Sequence, residues 1–229
     1  MDLADFHGPD VREGRIDQVL ALWDEPIPGA WQRGQDDRLL DANRHYLRTH
    51  AAGEPVQSSE HAIEREIVSP APHAVTTSCL GGRLVDAVNA LPLAKDEQGG
   101  RAGNIEADML LLVEEKEAYR QLLVEVKSTR DHAWYATVEL LRQLRLFSKS
   151  SVAQRLFEHR RRDLILPAPL PVTAVVLAPR DFYEAAGRKS AVLNDTRLLL
   201  EQTRAKTGFD IRLTVWDPAV RVIAELDGN

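Results

Sequence analysis

Two apolar segments joined by a short charged turn constrain the fold of this chain more than any other feature. Residues 105–113 read IEADMLLLV and residues 121–127 read QLLVEVK, with the charged turn EEKEAY between them. Both segments have the composition and length of β-strands. A connection this short returns the chain alongside itself, so the sequence predicts an antiparallel hairpin over these residues.

Helical patterns precede the hairpin. Apolar residues recur at helical spacing in two stripes within residues 14–50, the first of them Ile16, Val19, Leu20 and Trp23, the second in residues 39–50. A further helix is predicted from Ser58 or Ser59, either of which could cap it, to a stop at Pro70. Residues 73–77 could form a strand. The glycine-rich segment 94–104 is expected to be an exposed, mobile loop.

The elements after the hairpin alternate between helix and strand. Residues 134–149 have the strongest helical pattern, with Val138, Leu141, Leu144 and Phe147 on the apolar side. A buried strand at 172–177, a helix at 190–207 ended by Gly208, and two final strands are predicted next. This order predicts an α/β fold with a mixed central β-sheet flanked by helices. It divides into an N-terminal helical extension, residues 1–55, and a main domain, residues 56–229.

Composition limits the protein class. Hydrophobic residues make up 44% of the chain and charged residues 28%, as in globular proteins. No apolar run approaches the roughly 18 residues that cross a bilayer, and the acidic N-terminus is unlike a signal peptide. The single cysteine excludes an internal disulfide. A cytoplasmic protein with no membrane partner is therefore expected.

The residues that can do chemistry lie on the hairpin. Glu125 and Lys127 are two residues apart and so face the same way on a strand, and the partner strand can place Asp108 beside them. Two carboxylates can bind a hard cation such as Mg²⁺ or Mn²⁺, and the Val126 carbonyl can reach the same ion. A bound metal activates water and neutralises phosphate charge, while a lysine can orient that water. The arrangement suits phosphodiester hydrolysis.

These residues resemble the PD-(D/E)XK nuclease superfamily, which includes restriction endonucleases, Holliday junction resolvases and RecB-type exonucleases. The resemblance runs from about Glu60 to Phe147. Asp108 matches the motif's aspartate, and Glu125, Val126 and Lys127 match its ExK element. Ala107 stands where the family often has proline. The resemblance implies a restriction-endonuclease-like fold and a metal-dependent nuclease, with DNA a better candidate substrate than RNA.

Two helices are similar to family elements that complete the site. IEREI resembles the first helix, whose glutamate adds a metal ligand. Glu64 is favoured for that role over Glu60 because it lies next to the apolar side of its helix. Gln143 and Phe147 resemble the Gln-xxx-Tyr element of RecB-like helices, with Phe147 replacing the tyrosine. Gln143 could equally be an ordinary surface residue, and Glu106 is more simply explained as an exposed strand charge.

The charge distribution suggests where a polyanion would bind. The net charge is −6, but residues 1–64 have six basic against thirteen acidic residues, and residues 120–162 have ten against four. Arg142, Arg145 and Lys149 are spaced to form one solvent-facing stripe, continued by arginines from Arg155 to Arg162. An alternative function stays open: a catalytically silent nucleic-acid-binding or protein-interaction module on the same fold. Whether the chain forms a homodimer also stays open.

Overall fold

A computed structural model describes residues 15–26, 59–68, 75–77, 82–95, 104–116, 118–128, 132–184 and 188–226. The helices in these ranges are α1 (Ile16–Asp24), α2 (Ser59–Val68), α3 (Ala133–Lys149), α4 (Ser151–Gln154), α5 (Leu156–Arg160), α6 (Arg180–Glu184) and α7 (Arg188–Thr207). The strands are β1 (Thr76–Thr77), β2 (Gly82–Lys95), β3 (Asn104–Glu115), β4 (Ala118–Val126), β5 (Val172–Ala178), β6 (Asp210–Asp217) and β7 (Val222–Glu225). None of these helices has the length and apolar character needed to span a membrane.

The seven described strands form one mixed sheet in the order β1 to β7. The β2–β3, β3–β4 and β6–β7 pairs are antiparallel, whereas β4–β5 and β5–β6 are parallel. The short β1 pairs with both β2 and β7. The prediction of an α/β fold with a mixed sheet and flanking helices is therefore confirmed.

Both faces of the sheet are buried. The larger apolar cluster joins one face to α1, α3 and α7, and the smaller cluster joins the other face to α2 through Ile63 and Ile67. This explains the unbroken run MLLLV in β3: Leu110 and Leu112 enter the larger cluster, while Met109 and Leu111 enter the smaller one. A strand covered on both faces requires such a run.

The β2–β3 pair reverses its faces close to Asp108. Ala107 and Leu110 are three residues apart, yet both contribute to the larger cluster, whereas strict alternation would put them on opposite faces. On β2, Ala90 has a positive φ of 51°, and the register shifts between Pro92 and Ala94. Such irregularities bend a strand and redirect side chains, as β-bulges do beside active sites. Asp108 lies at this bend.

Most sequence predictions for the elements are confirmed. These include the hairpin, the helices at 59–68, 133–149 and 188–207, and the strands after residue 171. Gly208, at φ 75°, ends α7. Strand β1 is shorter than predicted. The second helical stripe at 39–50 and most of the predicted loop, residues 96–103, lie outside the described residues.

Strand β2, the longest of the described strands, was not predicted from the sequence, and its last residues were assigned to the loop. Its pattern is interrupted by Asp86, Asn89 and Pro92, which weaken a strand signal. Long-range pairing with β3 stabilises it nevertheless.

Candidate active site

The predicted catalytic residues lie where β3 and β4 separate. The paired ladder stops one residue short of Asp108 and Glu125. Across the gap, Asp108 Oδ2 accepts a hydrogen bond of 2.7 Å from the Val126 N–H. The backbone N–H of Lys127 donates to the Leu177 carbonyl on β5 at 2.9 Å. The backbone therefore fixes all three predicted residues at one end of three neighbouring strands.

Side-chain contacts join this strand end to α3. Glu125 Oε1 accepts from Lys127 Nζ at 2.6 Å, and Glu125 Oε2 accepts from Gln143 Nε2 at 2.5 Å. Lys127 Nζ lies 2.7 Å from Glu139 Oε2. Gln143 Nε2 also donates to the Glu106 carbonyl at 3.1 Å. Gln143 is thus a buried residue of the site, and its interpretation as a surface residue is wrong.

Helix α2 reaches the same end of the sheet from the opposite face. Its Ser59 hydroxyl donates to the Ser128 hydroxyl at 2.6 Å, just after the ExK element. Trp216 Nε1 on β6 donates to Glu66 Oε2 at 2.8 Å and holds the far side of the helix. Glu64, on the inner side, is buried, as its position beside the apolar stripe predicted.

Three acids of the site resist ionisation, first because they are buried. Burial, assisted by the negative charge of Asp108, raises the pKa of Glu64 to about 8. Burial raises the pKa of Asp108 to about 6. Burial and the nearby Asp108 raise the pKa of Glu125 well above its usual range. Burial opposes the charged form of Lys127, but the carboxylates of Glu125 and Glu139 outweigh it and raise the lysine pKa. A single ammonium thus sits among several acids.

This donor set fits a divalent cation chemically. Oxygen ligands are what Mg²⁺ and Mn²⁺ prefer, and a cation would relieve the burial and repulsion that disfavour the charged acids. The buried Gln143 Oε1 accepts no hydrogen bond within the described part of the chain, which leaves a further oxygen acceptor at the site. In that same part, no three Asp, Glu, His or Cys side chains are positioned to hold a metal. Glu125 is engaged instead by Lys127 and Gln143.

Glu139 is the residue of the site that sequence reasoning missed. Its carboxylate contacts Lys127, and the pKa of Glu139 is lowered because Lys127 and Arg142 outweigh the opposing effect of burial. One signal was available: Glu139 precedes Gln143 by four residues and so shares its face of α3. The sequence pattern alone gave no reason to choose it among the charged residues of that helix.

The basic stripe on α3 differs from the prediction. Arg145 is only 4% exposed and lies near the acidic end of α1, where Asp24 and Glu25 act on it. Arg142 is half-buried, and burial lowers the pKa of its guanidinium, an effect that the charges of Glu139 and Glu125 oppose only in part. Of the three, only Lys149 is exposed. The prediction of a solvent-facing stripe is therefore wrong for Arg145, because α1 and α7 cover a side of α3 that the sequence left open.

The downstream arginines are largely paired. Arg160 makes two hydrogen bonds of 3.1 Å to the Asp86 carboxylate, and Arg161 Nη2 lies 2.7 Å from Asp163 Oδ2. Arg155 contacts Glu158 at 3.2 Å. These neighbours neutralise much of the positive charge that was expected to continue the stripe.

The aromatic residues of α3 mostly serve the core. Trp134 and Phe147 are buried. Tyr135 is half-buried and packs on His132 with ring centroids 4.4 Å apart. Glu106 is also half-buried rather than fully exposed.

Comparisons with protein-family models, curated proteins and solved structures give no match to this chain.

Proposed function

We propose that this protein is a metal-dependent nuclease that hydrolyses phosphodiester bonds, most simply in DNA, on a restriction-endonuclease-like fold. One observation supports the proposal above the others. Three acids that resist ionisation, Glu64, Asp108 and Glu125, gather with one ammonium group at the end of a mixed sheet. Perturbed acids clustered beside a specific charge partner are typical of functional sites, because a structural core gains little from them.

Each residue has a role that follows from its chemistry. Glu64, Asp108 and Glu125 would hold Mg²⁺ or Mn²⁺, with the Val126 carbonyl as a fourth oxygen. An extended residue directs its N–H and C=O to the same neighbour, so this carbonyl lies on the Asp108 side of β4. The metal would supply a more acidic water and neutralise phosphate charge. Glu64 is preferred to Glu60 because Glu64 is buried at the site.

Lys127 would act on the attacking water or the phosphate, and Gln143 would orient the Glu125 carboxylate. The Lys127 ammonium can donate hydrogen bonds to an attacking water or to a phosphate oxygen. Gln143 fixes Glu125 by donating to Oε2, which leaves the carboxylate one orientation. The metal and Lys127 would together supply the activated water and the charge stabilisation that phosphodiester hydrolysis requires.

The order of elements supports the fold part of the proposal. A helix with an inward glutamate precedes a hairpin with Asp108 and the ExK element, and α3 follows with Gln143. Strand β5 then pairs in parallel with β4. The preference for DNA rests on the family resemblance. Arg142 and Lys149 are the proposed phosphate contacts, and the buried Arg145 is no longer among them.

The test is a cleavage panel with the full-length protein in Mg²⁺ and in Mn²⁺. Linear, circular, single-stranded and branched DNA are compared with RNA. In parallel, calorimetry measures Mn²⁺ binding to the wild type, to Asp108→Asn and to Asp181→Asn. Asp181 is an exposed acid on α6, so its variant is a matched control for loss of one carboxylate.

We expect cleavage of at least one DNA substrate and Mn²⁺ binding that only Asp108→Asn weakens. Nucleic-acid binding without cleavage or metal binding would favour the silent module instead. Neither binding nor cleavage of any nucleic acid would favour a protein-interaction role.

A further inference from the structure

We propose that Glu139 is a positioning residue that, together with Glu125, holds the Lys127 ammonium in place for the reaction. The contact geometry supports this directly: Lys127 Nζ lies 2.6 Å from Glu125 Oε1 and 2.7 Å from Glu139 Oε2. The role of Lys127 in catalysis rests on the proposed function. The claim that Glu139 holds the lysine rests on these contacts alone.

The strand and the helix are matched in spacing at this point. Glu125 and Lys127 are two residues apart on β4, a separation of roughly 6.6 Å along a strand. Glu139 and Gln143 are four residues apart on α3, a rise of about 6 Å along a helix. With this matched spacing, Glu139 contacts Lys127 and Gln143 contacts Glu125. Gln143 also donates to the Glu106 carbonyl on β3. This two-point contact fixes how α3 lies against the end of β4.

The Glu139 carboxylate can hold Lys127 under conditions in which Glu125 alone does not. Under the proposed function, Glu125 shares its negative charge with a metal ion, which weakens its attraction for the lysine. A lysine side chain has a flexible four-carbon stem. It loses its fixed position once the attraction of its partner carboxylate weakens. Glu139 comes from a different element, and our assignment gives it no metal ligand role. It keeps Lys127 directed at the reacting centre.

The decisive variant is Glu139→Gln, which keeps the size of the side chain and removes the charge. Glu201→Gln is the matched control, because Glu201 is an exposed glutamate on α7. Glu139→Asp tests rescue by a shorter carboxylate. Thermal melting of all three variants verifies that they fold.

Three measurements are made on the full-length protein. The first, on metal-free protein, is the ¹H–¹⁵N NMR signal of the Lys127 ammonium, assigned by its loss in Lys127→Arg. This signal persists when carboxylates shield the ammonium protons from exchange with water. The second is kcat and KM for cleavage with Mn²⁺, and the third is Mn²⁺ affinity by calorimetry.

We expect Glu139→Gln to broaden the Lys127 signal beyond detection and to lower kcat at least tenfold. KM and Mn²⁺ affinity should stay within about twofold of wild type, and Glu139→Asp should recover part of both losses. Glu201→Gln should change none of these. In a Lys127→Ala background, Glu139→Gln should lower the residual single-turnover rate no further.

Other outcomes overturn the proposal in identifiable ways. An unchanged Lys127 signal in Glu139→Gln shows that Glu139 does not hold the lysine. A marked fall in Mn²⁺ affinity makes Glu139 a metal ligand instead. If wild type cleaves nothing, the proposed function fails, and the NMR signal alone then decides whether Glu139 positions Lys127.

Discussion

The two ends of the β3–β4 hairpin have the same kinds of side chain in opposite environments. At the turn, Arg83 Nη2 lies 2.5 Å from Glu114 Oε2, with side chains 55% and 24% exposed. At the other end, Lys127 Nζ lies 2.6 Å from Glu125 Oε1, with side chains 11% and 4% exposed. The distances are nearly equal, so distance alone does not distinguish a surface ion pair from a candidate active site.

The two ion pairs differ in the hydration free energy that each loses when the protein folds. An exposed pair loses little hydration and contributes little stability. A buried pair loses its hydration, and it is retained only where other groups compensate or where function requires it. Glu64, Asp108 and Glu125 at the buried end have raised pKa values, caused first by burial. The comparison therefore predicts that removing a charge at the buried end changes activity and stability far more than removing one at the turn.

The largest effect is expected for Asp108→Asn. The variant removes a proposed metal ligand, so kcat for cleavage in Mg²⁺ should fall about a hundredfold or more. Lys127→Ala should cause a loss of similar size. Glu114→Gln at the turn is the control and should cleave at the wild-type rate within about twofold. Full activity in Asp108→Asn would show that Asp108 has no role in cleavage, as is expected for Glu114 at the turn.

The next effect concerns stability and pH. The pKa of Glu64 rises from an ordinary 4.5 to about 8 in the folded protein. Between these values the folded state keeps a proton that the unfolded chain has released. The free energy of unfolding of the metal-free protein should therefore fall as pH rises from about 5 to about 8, by up to about 3 kcal/mol for this group.

Chemical denaturation across this pH range tests the Glu64 prediction. Glu64→Gln has no proton to lose, so it should remove that part of the slope, whereas the exposed Glu201→Gln should leave it unchanged. Mn²⁺ added at pH 8 should restore stability to wild type. A stability that rises with pH from 5 to 8 in wild type, or an identical slope in Glu64→Gln, would place Glu64 in solvent.

A smaller effect distinguishes two arginines of α3. Arg142 is half-buried at the site, whereas Arg145 is buried near α1. In DNA binding measured in Ca²⁺, chosen to allow binding without cleavage, Arg142→Ala should flatten the plot of log affinity against log salt by about 0.9. Arg145→Ala should lower stability and leave the slope unchanged. Equal flattening by both variants would mean that Arg145 becomes exposed when DNA binds.

The smallest effect is expected at the turn. Arg83→Ala should change the free energy of unfolding by less than about 1 kcal/mol, because the pair with Glu114 is screened by water. Denaturation at low and high salt measures it, and high salt should reduce even this difference. A loss of several kcal/mol would show that the turn pair is energetically coupled to the core.

The local features of the fold were readable from the sequence because they depend on short-range patterns. The apolar runs of β3 and β4, the charged turn and the amphipathic stripe of α3 each lie within about twenty residues. Asp108, Glu125 and Lys127 lie on one hairpin, so their proximity follows from strand pairing. Strand β2 was missed because its polar interruptions are offset by long-range pairing, most of it with β3.

The sequence by itself determined which residues could do chemistry and that strand pairing would bring Asp108 near Glu125 and Lys127, since a hairpin is a local structure. The family resemblance proposed Glu64 and Gln143 for the site, but only the tertiary structure decided that both are buried beside the hairpin, that Glu139 contacts Lys127 and that Arg145 does not face solvent. These outcomes depend on how α1, α2 and α3 pack on the two faces of the sheet. Which side of a helix is buried depends on the elements that pack against it, and the helix's own sequence does not specify those elements.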